Sequence, residues 1–154
     1  MNLYLRMLII VITGLWRKPL KALDTSILTM HVFPNDLDTN LHMNNGRYLT
    51  IMDLGRIDLL KRAGLLKLMV QNKWMPIVGT ATIEFQRPLK FWQKYELHTH
   101  VSSWDEKWIY LEQTFYSHGK ITAVGKIKGL LRGREGKIPP QFYMEALQSG
   151  IVSP

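Results

Sequence analysis

Four strand-like segments fill residues 77–85, 95–104, 108–116 and 121–131, and the last three are separated only by short turn-like links. This arrangement constrains the fold more than any other feature of the chain. Alternation is clear in Glu96-Leu97-His98-Thr99-His100-Val101 and in Ile109-Tyr110-Leu111-Glu112, the period of a strand with one covered face. The links Trp104-Asp105-Glu106-Lys107 and Ser117-His118-Gly119-Lys120 are too short for a crossover, so successive strands are expected to run antiparallel as a meander. A covered face needs a partner layer, and the chain offers one long helical segment for it.

That segment runs over residues 46–63, with Leu49, Met52, Leu60 and Ala63 on one face and Gly64 as a stop. Asp58, Lys61 and Arg62 mark its polar side. Asp53 and Arg56 intrude on the apolar stripe three residues apart, a spacing at which they can pair. Ahead of the helix, residues 26–33 read as a strand broken by Pro34-Asn35-Asp36. Pro139-Pro140 ends the sheet, and a short helix is expected over 141–148. One strand, one long helix and four strands make a two-layer α+β domain, and 154 residues suit a single core.

Residues 3–16 (LYLRMLIIVITGLW) are the most apolar stretch. They fall short of the ~20 residues that span a bilayer, Arg6 interrupts them, and no small-x-small cleavage site follows. Wound as a helix, Asn2, Arg6, Thr13 and Arg17 share one narrow stripe and nearly everything else is apolar. That pattern suits peripheral membrane contact through residues 1–18. It suits equally a helix packed on its own domain or on a sister subunit. The expected division is thus an amphipathic segment over 1–23 and one domain over 24–154.

A formal charge of +8 favours anionic partners. No finger, zipper or RNP-type aromatic motif accompanies the cations, which argues against nucleic acid. The absence of cysteine excludes disulfides and a thiol nucleophile, and fits a reducing, cytoplasmic setting.

Between the first strand and the long helix lies Asp36-Leu37-Asp38-Thr39-Asn40-Leu41-His42-Met43-Asn44-Asn45, the densest run of reactive residue types. A carboxylate can attack a thioester or activate water, and an imidazole can shuttle a proton. The free N–H groups of a helix start can receive an oxyanion. The same residues also suit an Asx-rich cap, with Asn44 or Asn45 as N-cap and Asp36 and Asp38 holding the turn. Residue types alone leave both readings open. His98 and His100 lack a third ligand for a metal, and Trp92, Trp104 and Trp108 read as core or interface aromatics.

Asp38-x-Asn40-x-His42-Met43-Asn44-Asn45, followed by Tyr48, Asp53 and Arg56 and later by Arg87-Pro88-Leu89, resembles the signature of hotdog acyl thioesterases. The branch is that of acyl-carrier-protein and 4-hydroxybenzoyl-CoA-type enzymes. The resemblance covers about residues 24–134 and implies an antiparallel sheet wrapped around a long central helix. It implies a hydrolase of acyl-CoA or acyl-carrier-protein thioesters, needing no cofactor or metal, with its site at a subunit boundary of a homodimer or homotetramer. Asp38 would be nucleophile or general base, Asn40 and His42 would position the thioester, and Asn44 with the backbone N–H groups of Asn45 and Gly46 would border the oxyanion. Arg87, Lys90 and Lys126 would hold coenzyme A phosphates or a carrier surface. Relatives usually carry glutamate where this chain has Asp53. The alternative is a non-catalytic acyl-binding or membrane-associated hotdog protein.

Overall fold

The computed structural model describes residues 1–148, so the end of the expected 24–154 domain lies outside the described part. The chain forms α1 (Leu3–Thr13), β1 (Ser26–His31), a 3-10 turn (Pro34–Asp36), α2 (Asn45–Arg62) and α3 (Leu65–Asn72). Then come β2 (Met75–Phe85), β3 (Lys94–Trp104), β4 (Ile109–Ser117), β5 (Lys120–Gly133), β6 (Gly136–Ile138) and α4 (Pro140–Gln148).

All strand pairs are antiparallel, in the order β1-β3-β4-β5-β2, with β6 on β5. His118 and Gly119 take φ values of 51° and 72° to close the β4–β5 hairpin, the positive-φ pair that matches strand twist. The expected meander holds for β3, β4 and β5, the strands joined by short links. β2 stands outside it and pairs with β5 at the far edge. The link 86–93 is too long for a hairpin and is fastened at both ends elsewhere. Gln86 and Arg87 N–H donate to Thr122 O, and Trp92 N–H donates to Val32 O.

The sheet curls around α2, which buries Tyr48, Ile51, Met52, Leu54 and Leu59 against inward residues such as Leu97, Leu111 and Phe115. Each such side chain contributes about 1.5–3 kcal/mol when fully buried. Two glycines set the closeness of the layers. A Cβ on Gly55 would stand 2.5 Å from Thr99 Oγ1, and one on Gly125 would stand 2.4 Å from Met52 Cε.

The side of α2 read as polar is also covered. Asp58 and Arg62 are buried, because the N-terminal segment folds over them: Arg17 Nη1 and Ser26 Oγ donate to Asp58, and Arg62 donates to Lys18 O. Leu49, assigned to the apolar face, is exposed. Gly64 ends α2 at φ 85°, but the chain re-enters a helix at once. That helix, α3, was not anticipated; its Leu65 and Met69 join Tyr143 and Met144 of α4 in a second cluster. Trp104 and Trp108 are half-buried, whereas Trp92 is exposed and held by rings of His31 and Phe33.

Candidate active site

Asp36 is the buried hub of the loop. Its Oδ2 accepts from Arg6 Nη2 at 2.6 Å and from Phe33 N at 2.9 Å, and its carbonyl accepts from Asn44 N at 2.8 Å. Arg47 Nε lies 3.0 Å from Oδ1, at an angle that makes it a charge contact, since Oδ1 accepts no hydrogen bond among the described residues. One carboxylate therefore joins α1, the loop and the first turn of α2.

Asp38 shapes the loop itself. Its Oδ1 accepts from Asn40 N at 2.9 Å and from His42 N at 3.2 Å, and its N–H donates to His42 O at 2.8 Å. The turn leaves Leu41 at φ 59°, a costly conformation for leucine. Asp38 is half-buried, and Oδ2 has no hydrogen-bond partner among the described residues. Asn40 is exposed and His42 half-buried.

Asn44 is the N-cap of α2, its Oδ1 accepting from Gly46 N at 2.8 Å. The cap reading is thus realised, and the Gly46 N–H expected at an oxyanion is engaged by Asn44. The Asn45 N–H has no partner among the described residues.

A short bridge pairs His42 with Lys90, and Met43 N donates to Leu89 O at 2.7 Å. Lys90 is thus brought beside the loop, three residues after the exposed Arg87. Lys126 is not. It lies on the sheet face turned away from α2, opposite Glu112 and Thr82, in a shallow groove with Tyr110 and Lys128.

An apolar cavity of about 460 Å³ lies between α2, the sheet and α4, lined by residues including Ile57, Leu60, Ile109, Leu131 and Met144. The loop residues Asp38, Asn40, His42 and Asn44 do not line it; Asp53 and Arg56 do. Those two form the expected ion pair. Arg56 Nη1 also donates to Gln113 Oε1 at 2.8 Å, and Gln113 Nε2 donates to Met52 O and Thr99 Oγ1. Burial pulls the Arg56 guanidinium below its usual value, opposed by Asp53. Gln113 was missed in the sequence, although a glutamine between Leu111 and Phe115 on the inward period of a strand signals a buried polar partner. Burial pushes the Tyr48 hydroxyl up to about 12, partly offset by the Leu89 backbone.

Residues 32–146 match the model of the thioesterase-like superfamily. Protein THEM6 of Danio rerio is 36% identical over 124 residues, covering 79% of this chain and 61% of the relative. The chain spans only part of its curated relatives, from 41% to 68% of the length of three of them. Among solved structures, the YbaW probable thioesterase of Escherichia coli superimposes with a TM-score of 0.74 at 18% identity, over 82% of this chain and 98% of that one. The 1,4-dihydroxy-2-naphthoyl-CoA thioesterase Slr0204 of Synechocystis gives 0.70 at 11% identity, over 85% and 100%. The shared architecture is the sheet wrapped around a central helix.

Proposed function

Since this chain belongs to the thioesterase-like superfamily, we propose that it hydrolyses acyl thioesters of coenzyme A or of a carrier protein at the N-terminus of α2. The observation that carries the reading is the matched family span, which includes the Asp38 loop, the start of α2 and most of the apolar cavity's lining. A solved structure of the same fold is a named CoA thioesterase. Asp38, fixed through Oδ1 with Oδ2 unengaged, acts as nucleophile or as general base for water. His42 and Asn40 orient the thioester, and the Asn45 N–H faces the developing oxyanion. Water adds to the acyl carbonyl, the C–S bond breaks, and the thiolate leaves as the thiol after taking up a proton. The acyl chain occupies the apolar cavity, and Lys90 and Arg87 offer cations to the carrier's phosphates.

The same reading takes two copies of the chain. β2 is a sheet edge eleven residues long with nearly every residue exposed, including Ile77, Val78 and Phe85. An edge of that length and apolarity calls for a covering strand, and a second copy of β2 supplies one.

The test is steady-state hydrolysis of an acyl-CoA series of increasing chain length by the native chain, Asp38→Asn and Asp53→Asn. Asp38→Asn is expected to lower kcat/KM by roughly a hundredfold or more; full activity in that variant removes Asp38 from the mechanism. A second reading, acyl binding without turnover, is favoured by the engagement of Asp38 Oδ1 in its own turn. Tight acyl-CoA binding with no hydrolysis at any chain length would select it.

A further inference from the structure

Helix α1 is mounted inside out. Its two cations face the protein, Arg6 within the helix and Arg17 just after it: Arg6 is buried on Asp36, and Arg17 reaches Asp58 and Ile27 O. The opposite side, a half-turn away, is apolar and bare. Tyr4 is 75% exposed, Leu8 53%, Ile12 42%, and beyond the helix Leu15 66% and Trp16 78%. A buried ion pair at Arg6 and a half-buried one at Arg17 therefore hold an apolar face outward, the reverse of what the hydrophobic effect alone selects.

The far end of this face is basic. A pocket of about 440 Å³ is lined by residues including Gly14, Leu15, Lys61, Lys67 and Val70, with Lys18 next in sequence to its Arg17. No carboxylate pairs with Lys18, Lys61 or Lys67 among the described residues. We propose that α1 and this basic end form a docking surface for a bilayer carrying anionic phospholipid. The helix lies flat, Leu8, Ile12 and Trp16 enter the interface, and the lysines meet lipid phosphates.

Charge selects this occupant over a second copy of the chain. A two-fold interface sets a patch against itself, and this one would oppose cations with cations, with no acid to neutralise them. Along its length α1 also forms a groove with Ile27 and Thr29 of β1. The β2 edge is at the other end of the sheet from β1. No described helix is long and apolar enough to cross a membrane, so the contact is with one surface. Tyr4 and Met7 also line the apolar cavity. On the thioesterase reading, an acyl chain can therefore pass from lipid to site along α1.

The test is co-sedimentation of the full chain with phosphatidylcholine vesicles, with and without phosphatidylglycerol. The native chain is expected to pellet with the anionic vesicles and to release in high salt. The double variants Leu8→Glu/Ile12→Glu and Lys18→Glu/Lys67→Glu, altered at surface positions, should bind at least roughly tenfold more weakly. A native chain that stays in the supernatant, or variants that pellet like it, overturns the proposal. So does a lipid-free assembly that Leu8→Glu/Ile12→Glu dissociates in sedimentation velocity, which would make the face a contact between copies. Hydrolysis of a short-chain thioester, measured on the same proteins, reads the catalytic proposal separately.

Discussion

Replacing Asp36 with asparagine keeps the shape of the buried hub and removes its charge, leaving Arg6 with a neutral acceptor. Arg6 and Asp36 are 5% and 1% exposed, so neither charge can turn to water. At an effective dielectric of about 20, unit charges about 4 Å apart attract by about 4 kcal/mol. The asparagine oxygen can still accept from Phe33 N–H or from Arg6, which recovers about 1 kcal/mol. The expected loss is therefore about 3 kcal/mol, within the range for breaking a buried pair. Arg6→Met should cost less, about 1–2 kcal/mol, because Asp36 keeps the Phe33 N–H and the Arg47 charge. The double variant should cost less than the sum, since it leaves no orphaned cation. Urea unfolding of the four proteins, analysed as a double-mutant cycle, measures all three quantities. A loss below about 1 kcal/mol for Asp36→Asn, or additivity within about 0.5 kcal/mol, would refute the view that this pair holds α1 in its reversed orientation.

Three further outcomes are expected. Tyr48 titrates above its unfolded value, so its neutral form stabilises the fold fully below pH ~10 and that contribution is lost as pH rises toward about 12. Urea midpoints of the native chain should fall across that window, and Tyr48→Phe should flatten the slope; an unchanged slope contradicts the assignment. The buried Tyr143 hydroxyl has no hydrogen-bond partner among the described residues, so Tyr143→Phe should raise stability by about 1 kcal/mol in the same assay, and a loss of that size would show that the hydroxyl is satisfied. Leu41→Asn should stabilise by about 0.5–1 kcal/mol, because φ 59° strains leucine more than asparagine and the side chain is exposed; a lower melting temperature would place the Leu41 side chain in an energetically useful contact.

Local periodicity was enough to locate β3, β4, β5 and α2 within a few residues, because each follows a repeat that neighbours in sequence impose. The pairing of β2 with β5 was hidden, since strand order depends on where the link 86–93 is anchored, not on the strand's own pattern. Asp58 and Arg62 were misread as solvent-facing for a related reason. Charge marks exposure only while nothing opposite supplies a counter-charge, and here Arg17, Ser26 and Lys18 O arrive from the N-terminal segment. In the site loop, residue types alone left each side chain's assignment open. Asn44 could be read as cap or as oxyanion neighbour, and only coordinates show its Oδ1 on the Gly46 N–H.

The bare Cα positions at Gly55 and Gly125 fix where divergence in this molecule can occur. Any side chain added there would press on Thr99 Oγ1 or Met52 Cε, so the spacing of helix and strands at these two points tolerates bulk only if those side chains move. On the thioesterase reading, a bulkier or slimmer acyl group is met more easily at the wall opposite, where α4 supplies Tyr143, Met144 and Leu147. The end of α2 proposed for catalysis and the wall proposed to meet the acyl chain thus belong to separate segments, and the second can change without disturbing the first.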